Sequence, residues 1–127
     1  TKKGHLFIAI PTTAGTGSEA THFAVVYHNN KKYSVAHQYV LPDFVGLNSK
    51  FTFTQSPYLT ACSGLDALSQ AIESYWSTGA NQESKGYAQR AIELLLEHLE
   101  PSVLSPSKIS RDAVMRAAYL AGKAINI

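Results

Sequence analysis

The chain changes texture once, between residues 50 and 56, and that single change limits the folds open to it. Residues 6–53 are rich in β-branched and aromatic side chains, broken by Gly, Pro and Asn. Beyond residue 56, apolar residues recur at spacings of three and four. One block of strands followed by one block of helices predicts α/β strands followed by all-α helices, not a regular βαβ alternation. Leu6-Phe7-Ile8-Ala9-Ile10 is an unbroken apolar run stopped by Pro11. That is the pattern of a strand buried on both faces of a parallel sheet. Residues 23–27 and 32–36 flank Asn29-Asn30 and predict a hairpin, and residues 44–47 a short fourth strand.

In the second block, Ser56 before Pro57 predicts a helix start, with a capping hydroxyl and a proline in the first turn. Leu65, Leu68, Ile72 and Tyr75 mark one apolar face, which fades at Ser77-Thr78-Gly79. A second helix is predicted from near Gln82, carrying Tyr87, Ile92, Leu95, Leu96 and Leu99 and ended or kinked by Pro101. A third is predicted from near Ser110 through Val114, Ala118 and Leu120 to Ile125. The chain has no internal repeat and no low-complexity tract.

Composition narrows the partners. Eleven Lys and Arg against nine Asp and Glu leave a formal charge of +2, and the longest like-charge runs are Lys2-Lys3 and Lys31-Lys32. This argues against nucleic acid and against a polybasic membrane surface. No apolar stretch approaches the roughly 20 residues of a membrane span, and the run at residues 6–10 is too short for a signal peptide. Cys62 is the sole cysteine, so no internal disulfide and no Cys-rich zinc motif is possible. Together with a 45% apolar content, this predicts a compact cytoplasmic chain, and 127 residues alone predict one domain.

Two features point to chemistry. Pro11-Thr12-Thr13-Ala14-Gly15-Thr16-Gly17-Ser18-Glu19-Ala20-Thr21 leaves the first strand with two glycines and five hydroxyl residues in eleven positions. Glycines admit a ligand close to the backbone, and hydroxyls with free amides suit phosphate and ribose oxygens. Residues 15–20 fit G-x-G-x-x-G/A, but that fingerprint must open a helix, and a strand is expected next. A P-loop is excluded because no Lys follows the second glycine. On residues alone, a Ser/Thr-rich surface turn stays equally open. The second feature is Asp66 and Gln70, spaced i, i+4 on the side of the first helix opposite the leucines. A carboxylate and an amide oxygen there could share a divalent cation, or could simply be a solvated face. Small neighbours, Cys62, Ser63, Gly64, Ala67 and Ala71, leave room for something to approach.

The eleven-residue loop resembles a signature of the iron-containing, group III alcohol dehydrogenases. Leu59-Thr60-Ala61-Cys62-Ser63-Gly64-Leu65-Asp66-Ala67-Leu68-Ser69-Gln70-Ala71-Ile72-Glu73-Ser74-Tyr75 resembles the family's second signature, in the expected order and separation, and Ala80-Asn81 and Ala121-Gly122 fall in place. The resemblance implies part of a dehydroquinate synthase-like two-domain fold. Residues 1–55 would be the last strands and glycine loop of a dinucleotide-binding domain, and residues 56–127 the first helices of an all-helical metal-binding domain. It implies hydride transfer between NAD(P) and a small aldehyde or alcohol, with Fe(II) or Zn(II) as the divalent metal. By motif position, Thr12, Thr13, Gly15 and Thr16 would touch the cofactor, Thr21 and Phe23 would border its ribose and nicotinamide, and Lys32 would reach it from the hairpin. Asp66 would be a metal ligand with Gln70 beside it. A homodimer is implied for the full-length protein.

The sequence departs from the family at position 70, where Gln70 replaces the usual His, a softer ligand than an amide oxygen. The other two expected His ligands find no match, since His98 is the only histidine after the Asp66 helix and reads as a surface or packing residue. The chain resembles about the middle third of a member. The family's pyrophosphate loop is expected ahead of Thr1 and the second ligand pair after Ile127, so the 127-residue piece is expected to be inactive alone. Ser69-Gln70 and Lys123-Ala124-Ile125-Asn126-Ile127 resemble a branch of phosphonoacetaldehyde reductases. Two alternatives stand beside this reading: a metal-independent reductase of the same fold, and a non-catalytic nucleotide-binding or interaction module.

Overall fold

A computed structural model describes residues 4–126. Lys2-Lys3 and Ile127, used above, lie outside them. The order is strands then helices: β1 (Ile8–Ala9), β2 (Phe23–His28), β3 (Lys31–Ala36), β4 (Phe44–Val45), α1 (Pro57–Trp76), α2 (Gln82–Leu104) and α3 (Lys108–Ile125). β1 pairs in parallel with β4, Ile8 opposite Phe44 and Ala9 opposite Val45. β2 and β3 form the antiparallel hairpin. Its two-residue turn places Asn29 and Asn30 at φ 49° and 58°. Asn tolerates that left-handed region, and a turn with both central residues there matches the twist of paired strands.

Each helix begins on a side-chain cap that satisfies otherwise orphaned amides. Ser56 accepts from Leu59 N–H, with Pro57 in the first turn. Asn81 and Ser84 form a reciprocal capping box on α2, and Ser107 and Ser110 form another on α3. The third helix starts at Lys108, two residues ahead of Ser110, which is the inner half of its capping box. Pro101 does not end α2, which runs on to Leu104. It sits within a turn of the terminus, and its carbonyl still accepts from Ser105 N–H at 3.0 Å.

The core lies among the helices. Ala67, Ala71, Ala91, Leu95, Val114, Ala117, Ala118 and Ala121 are buried together, and Ala14 of the glycine loop inserts into the same cluster. On α1 the inward face is Thr60, Gly64, Ala67, Ala71 and Ser74. This corrects the predicted leucine face, because Leu65 is 54% and Tyr75 46% exposed while Leu68 and Ile72 are only partly covered. The small residues win the interior because three helices meet closely there. A β-carbon at Gly64 would lie 2.2 Å from Leu99 Cδ1 of α2. The double-sided burial expected of residues 6–10 is also not met: β1 spans two residues and Ile8 is 61% exposed. Parallel pairing was read correctly, but among the described residues only β4 pairs with β1.

The linker between the two blocks is held by α3. Ser49 and Lys108 both donate to the carboxylate of Asp112. Buried Arg111 donates through one guanidinium nitrogen to Thr52 O and Thr60 Oγ1, each at 2.9 Å. Its guanidinium also lies 5.8 Å from the Phe53 ring centre. Burial lowers the Arg111 pKa, and the Lys108 and Ser49 hydrogen bonds lower that of Asp112. No described helix is long and apolar enough to cross a membrane.

Candidate functional site

The glycine loop lies against the helical layer and turns its hydroxyls outward. Ala14, Gly15 and Gly17 are buried, whereas Thr12, Thr13 and Thr16 are exposed. Gly15 meets α1, where an added β-carbon would lie 2.8 Å from both Cβ and O of Ser63. Gly17 meets α3 at φ +59°, where a β-carbon would lie 2.6 Å from Ala118 O and 2.7 Å from Gly122 Cα. Both glycines are thus fixed by helix packing, and the outer edge is left to the threonines. Thr16 Oγ1 accepts from Ser18 N–H at 3.3 Å and stands 3.2 Å from Ser18 Oγ. Gln55 donates to Thr12 O at 3.4 Å.

After Gly17 comes one 3-10 turn, Ser18–Ala20, and then β2. No α-helix opens here, so the pyrophosphate-binding helix N-terminus of the dinucleotide fingerprint is missing, as the sequence reading held. Thr21 is buried, and its hydroxyl donates back to Ser18 O at 3.3 Å. Phe23 is half exposed at the base of the hairpin, its ring centre 4.1 Å from that of His22. Lys32 pairs with Tyr27 near the hairpin tip, four rungs from Phe23, a distance of about 13 Å along the strand. Lys32 therefore stands apart from Phe23.

Asp66 is exposed on α1, and Gln70 Nε2 donates to its Oδ2 at 2.9 Å. Ser74 in turn donates to Gln70 O at 2.8 Å. Ser63 precedes Asp66 by three residues, nearly one helical turn, so the contact with Gly15 brings the loop to the edge of α1 that carries the Asp66–Gln70 pair. Among the described residues no three His, Cys, Asp or Glu side chains form a metal-sized cluster. His98 is far along the chain on α2, half-buried, with Nε2 3.6 Å from Glu97 Oε1.

Sequence reasoning gave no role to three participants. Glu19 is buried in the 3-10 turn, where loss of solvation raises its carboxyl pKa against a partly offsetting bond from its own backbone N–H. It lines a cleft of about 520 Å³ between β4 and α3, together with Phe44, Tyr119, Lys123 and Asn126. Gly122 on α3 and Asn126 just after it meet the loop and its exit at His22 directly. The Ala/Gly content of residues 117–124 signals close packing, but nothing local says against what.

Two family profiles match the chain: "Iron-containing alcohol dehydrogenase" over residues 1–49 and "Fe-containing alcohol dehydrogenase family, C-terminal" over residues 60–127. Long-chain-alcohol dehydrogenase 1 of Geobacillus thermodenitrificans is 40% identical over 124 residues, covering 97% of this chain and 31% of that protein. The NADPH-dependent butanol dehydrogenase of Clostridium saccharobutylicum is 38% identical over 122 residues, covering 94% and 31%. The crystal structure of sulfoacetaldehyde reductase from Bifidobacterium kashiwanohense in complex with NAD+ superposes with a TM-score of 0.91 at 35% identity, over 97% of this chain and 34% of that one. The chain spans about a third of the length of these relatives.

Proposed function

Since the chain belongs to the iron-containing alcohol dehydrogenase family, we propose that the whole protein is an NAD(P)-linked, metal-dependent alcohol dehydrogenase or aldehyde reductase. The reaction read in the reducing direction takes an aldehyde, NAD(P)H and a proton to an alcohol and NAD(P)+. One observation carries the proposal: the hydroxyl loop docks through Gly15 on Ser63, next to the helix edge bearing Asp66. A cofactor-type loop and a ligand-type carboxylate thereby share one rim. Residues 1–55 are proposed as the closing strands of the dinucleotide-binding domain and residues 56–127 as the opening helices of the metal-binding domain.

Thr12, Thr13 and Thr16 offer exposed hydroxyls to orient the cofactor, and Gly15 lets the backbone stay low beneath it. Thr21 shapes the loop from inside, through its bond to Ser18 O. Phe23 supplies an apolar wall, and Lys32 a positive charge at the hairpin tip. Asp66 fits a divalent cation: its carboxylate is exposed and one oxygen is free of the Gln70 bond. Gln70 fits less well, because its amide N–H, not a lone pair, faces that carboxylate. When bound, a divalent metal supplies Lewis-acid polarisation of the carbonyl oxygen. The chain's own part is to hold that metal at Asp66 and to fix the carboxylate through Gln70.

The Gln70–Asp66 bond also favours a second reading, a metal-independent reductase in which protein donors polarise the carbonyl. The likeness to a sulfoacetaldehyde reductase supports an aldehyde with an anionic head, such as phosphonoacetaldehyde, as the finer substrate. A homodimer in a cytoplasmic setting completes the proposal. The test is NAD(P)H oxidation by the whole protein against small aldehydes, with and without exhaustive chelation. Turnover lost on chelation and restored by metal supports the first reading. Turnover that survives chelation selects the second, and no turnover with any aldehyde in either state refutes both.

A further inference from the structure

We propose that Gly122 of α3 and Asn126, which caps its end, are positioning residues for the cofactor loop, holding it from beneath so that Thr12, Thr13 and Thr16 keep their place at the rim. The inference rests on the reading of that loop as a cofactor site.

The contact at Gly122 is backbone on backbone. A β-carbon added at Gly122 would lie 2.3 Å from Gly17 O and 2.9 Å from Gly17 C and Cα. One added at Gly17 would meet Ala118 O and Gly122 in return, at 2.6–2.8 Å. Neither neighbour is a flexible side-chain tip that could swing aside, so a methyl group at position 122 must push the loop away from α3. Gly17 O also closes the 3-10 turn by accepting from Ala20 N–H at 2.9 Å. A push at that carbonyl is therefore felt through Ser18 and, by the bonds to Ser18, at Thr16.

Asn126 fixes the other end. It is the residue after α3, four positions beyond Gly122, and its Oδ1 accepts from His22 N–H at 2.7 Å. His22 is where the loop leaves for β2, and His22 O accepts from His37 N–H at 3.0 Å. Residues 17–22 are thus pinned at both ends by a single helix: a close glycine pair at entry and a side-chain hydrogen bond at exit. Both residues touch the loop at Gly17 and His22, so their action on a cofactor passes through the loop.

The test uses the whole protein and NAD(P)H binding followed by nicotinamide fluorescence well below the melting temperature. Asn126→Ala, which removes the acceptor, is expected to raise the cofactor Kd about five- to tenfold. Asn126→Asp, which keeps an oxygen in the same place, should stay within about twofold of wild type. Gly122→Ala should raise Kd tenfold or more. In all of them kcat at saturating cofactor should change far less than the cofactor KM, a split that general destabilisation would not produce. If Gly122→Ala fails to fold, the Asn126 pair decides. Equal weakening by Asn126→Ala and Asn126→Asp would overturn the acceptor role. Wild-type Kd in Asn126→Ala and Gly122→Ala, with weakened binding in Thr13→Ala, would overturn the inference and leave the cofactor reading standing. Wild-type Kd in Thr13→Ala and Thr16→Ala as well would remove both.

Discussion

Gly15 and Ser63 touch so closely that a β-carbon on the glycine would sit 2.8 Å from the serine's own. This contact joins the strand block to the helix block at the rim where the proposed cofactor and metal groups meet. Gly15→Ala is expected to cost about 1–3 kcal/mol through overpacking. Urea unfolding of the whole protein checks it, and Ser63→Gly in the same chain should recover only part, because Ser63 O is equally close.

Arg111 is buried and ties Thr52 O to Thr60 Oγ1, and so ties the linker to α1. Arg111→Ala should destabilise by roughly 1–3 kcal/mol, since it removes a buried side chain and two buried hydrogen bonds, although Thr52 O keeps Gln55 N–H and Thr60 Oγ1 keeps its bond to Ser56 O. Arg111→Lys should rescue only part, because an ammonium can donate to the same two acceptors but lacks the planar group that faces Phe53. Thermal melts of the three proteins decide this.

Glu19 and Asp112 should give opposite pH signatures. Burial raises the folded-state pKa of Glu19 above its ordinary 4.5, so the folded chain binds that proton more tightly than the unfolded chain. Stability from this group is then full below 4.5 and is lost as pH rises through the folded value. Glu19→Gln is expected to be more stable than wild type at neutral pH, with the gap closing in acid. Asp112 is the reverse: the Lys108 and Ser49 bonds depress its pKa below 3.8. Its contribution is present above 3.8 and disappears as pH falls through the folded value, so Asp112→Asn should flatten the acid limb of the stability profile.

Thr13 carries an exposed hydroxyl on the loop rim. On the cofactor reading, Thr13→Ala should weaken NAD(P)H binding about five- to tenfold and leave the melting temperature nearly unchanged, because no described structural bond is lost. Calorimetric titration with NADH and NADPH in turn measures this and also ranks the two cofactors.

Asp66→Asn should abolish retained divalent metal in the whole protein, and Gln70→His should increase it, since imidazole binds Fe(II) and Zn(II) far better than an amide oxygen does. Elemental analysis after dialysis against a mild chelator reads both. Equal metal content in wild type and Gln70→His would remove any role for position 70 in the metal site.

Much of the local architecture was legible because its causes are local. Ser56-Pro57 and Asn29-Asn30 act within a few residues of themselves, and each sits where it was expected. Ser110 marked the start of α3 to within two residues because it is the inner part of the cap, with Ser107 as the residue at the boundary. The candidate loop was also legible as a glycine- and hydroxyl-rich segment followed by a strand. What its glycines do was not, because their partners, Ser63 and Gly122, lie 48 and 105 positions away, separations that no local pattern spans.

The sequence by itself determined the order of strands and helices, the Ser56 cap, the hairpin turn and the family. All of these rest on short-range sterics, hydrogen bonds or contiguous motifs. Only the tertiary structure decided which face of α1 turns inward. Leu65 and Tyr75 have the hydrophobicity to be buried, yet Gly64, Ala67 and Ala71 take the interior, because α2, α3 and the glycine loop approach too closely for larger side chains. Apolar character gives a residue the drive to be buried. Whether it fits depends on what stands opposite, and that is settled when distant segments meet.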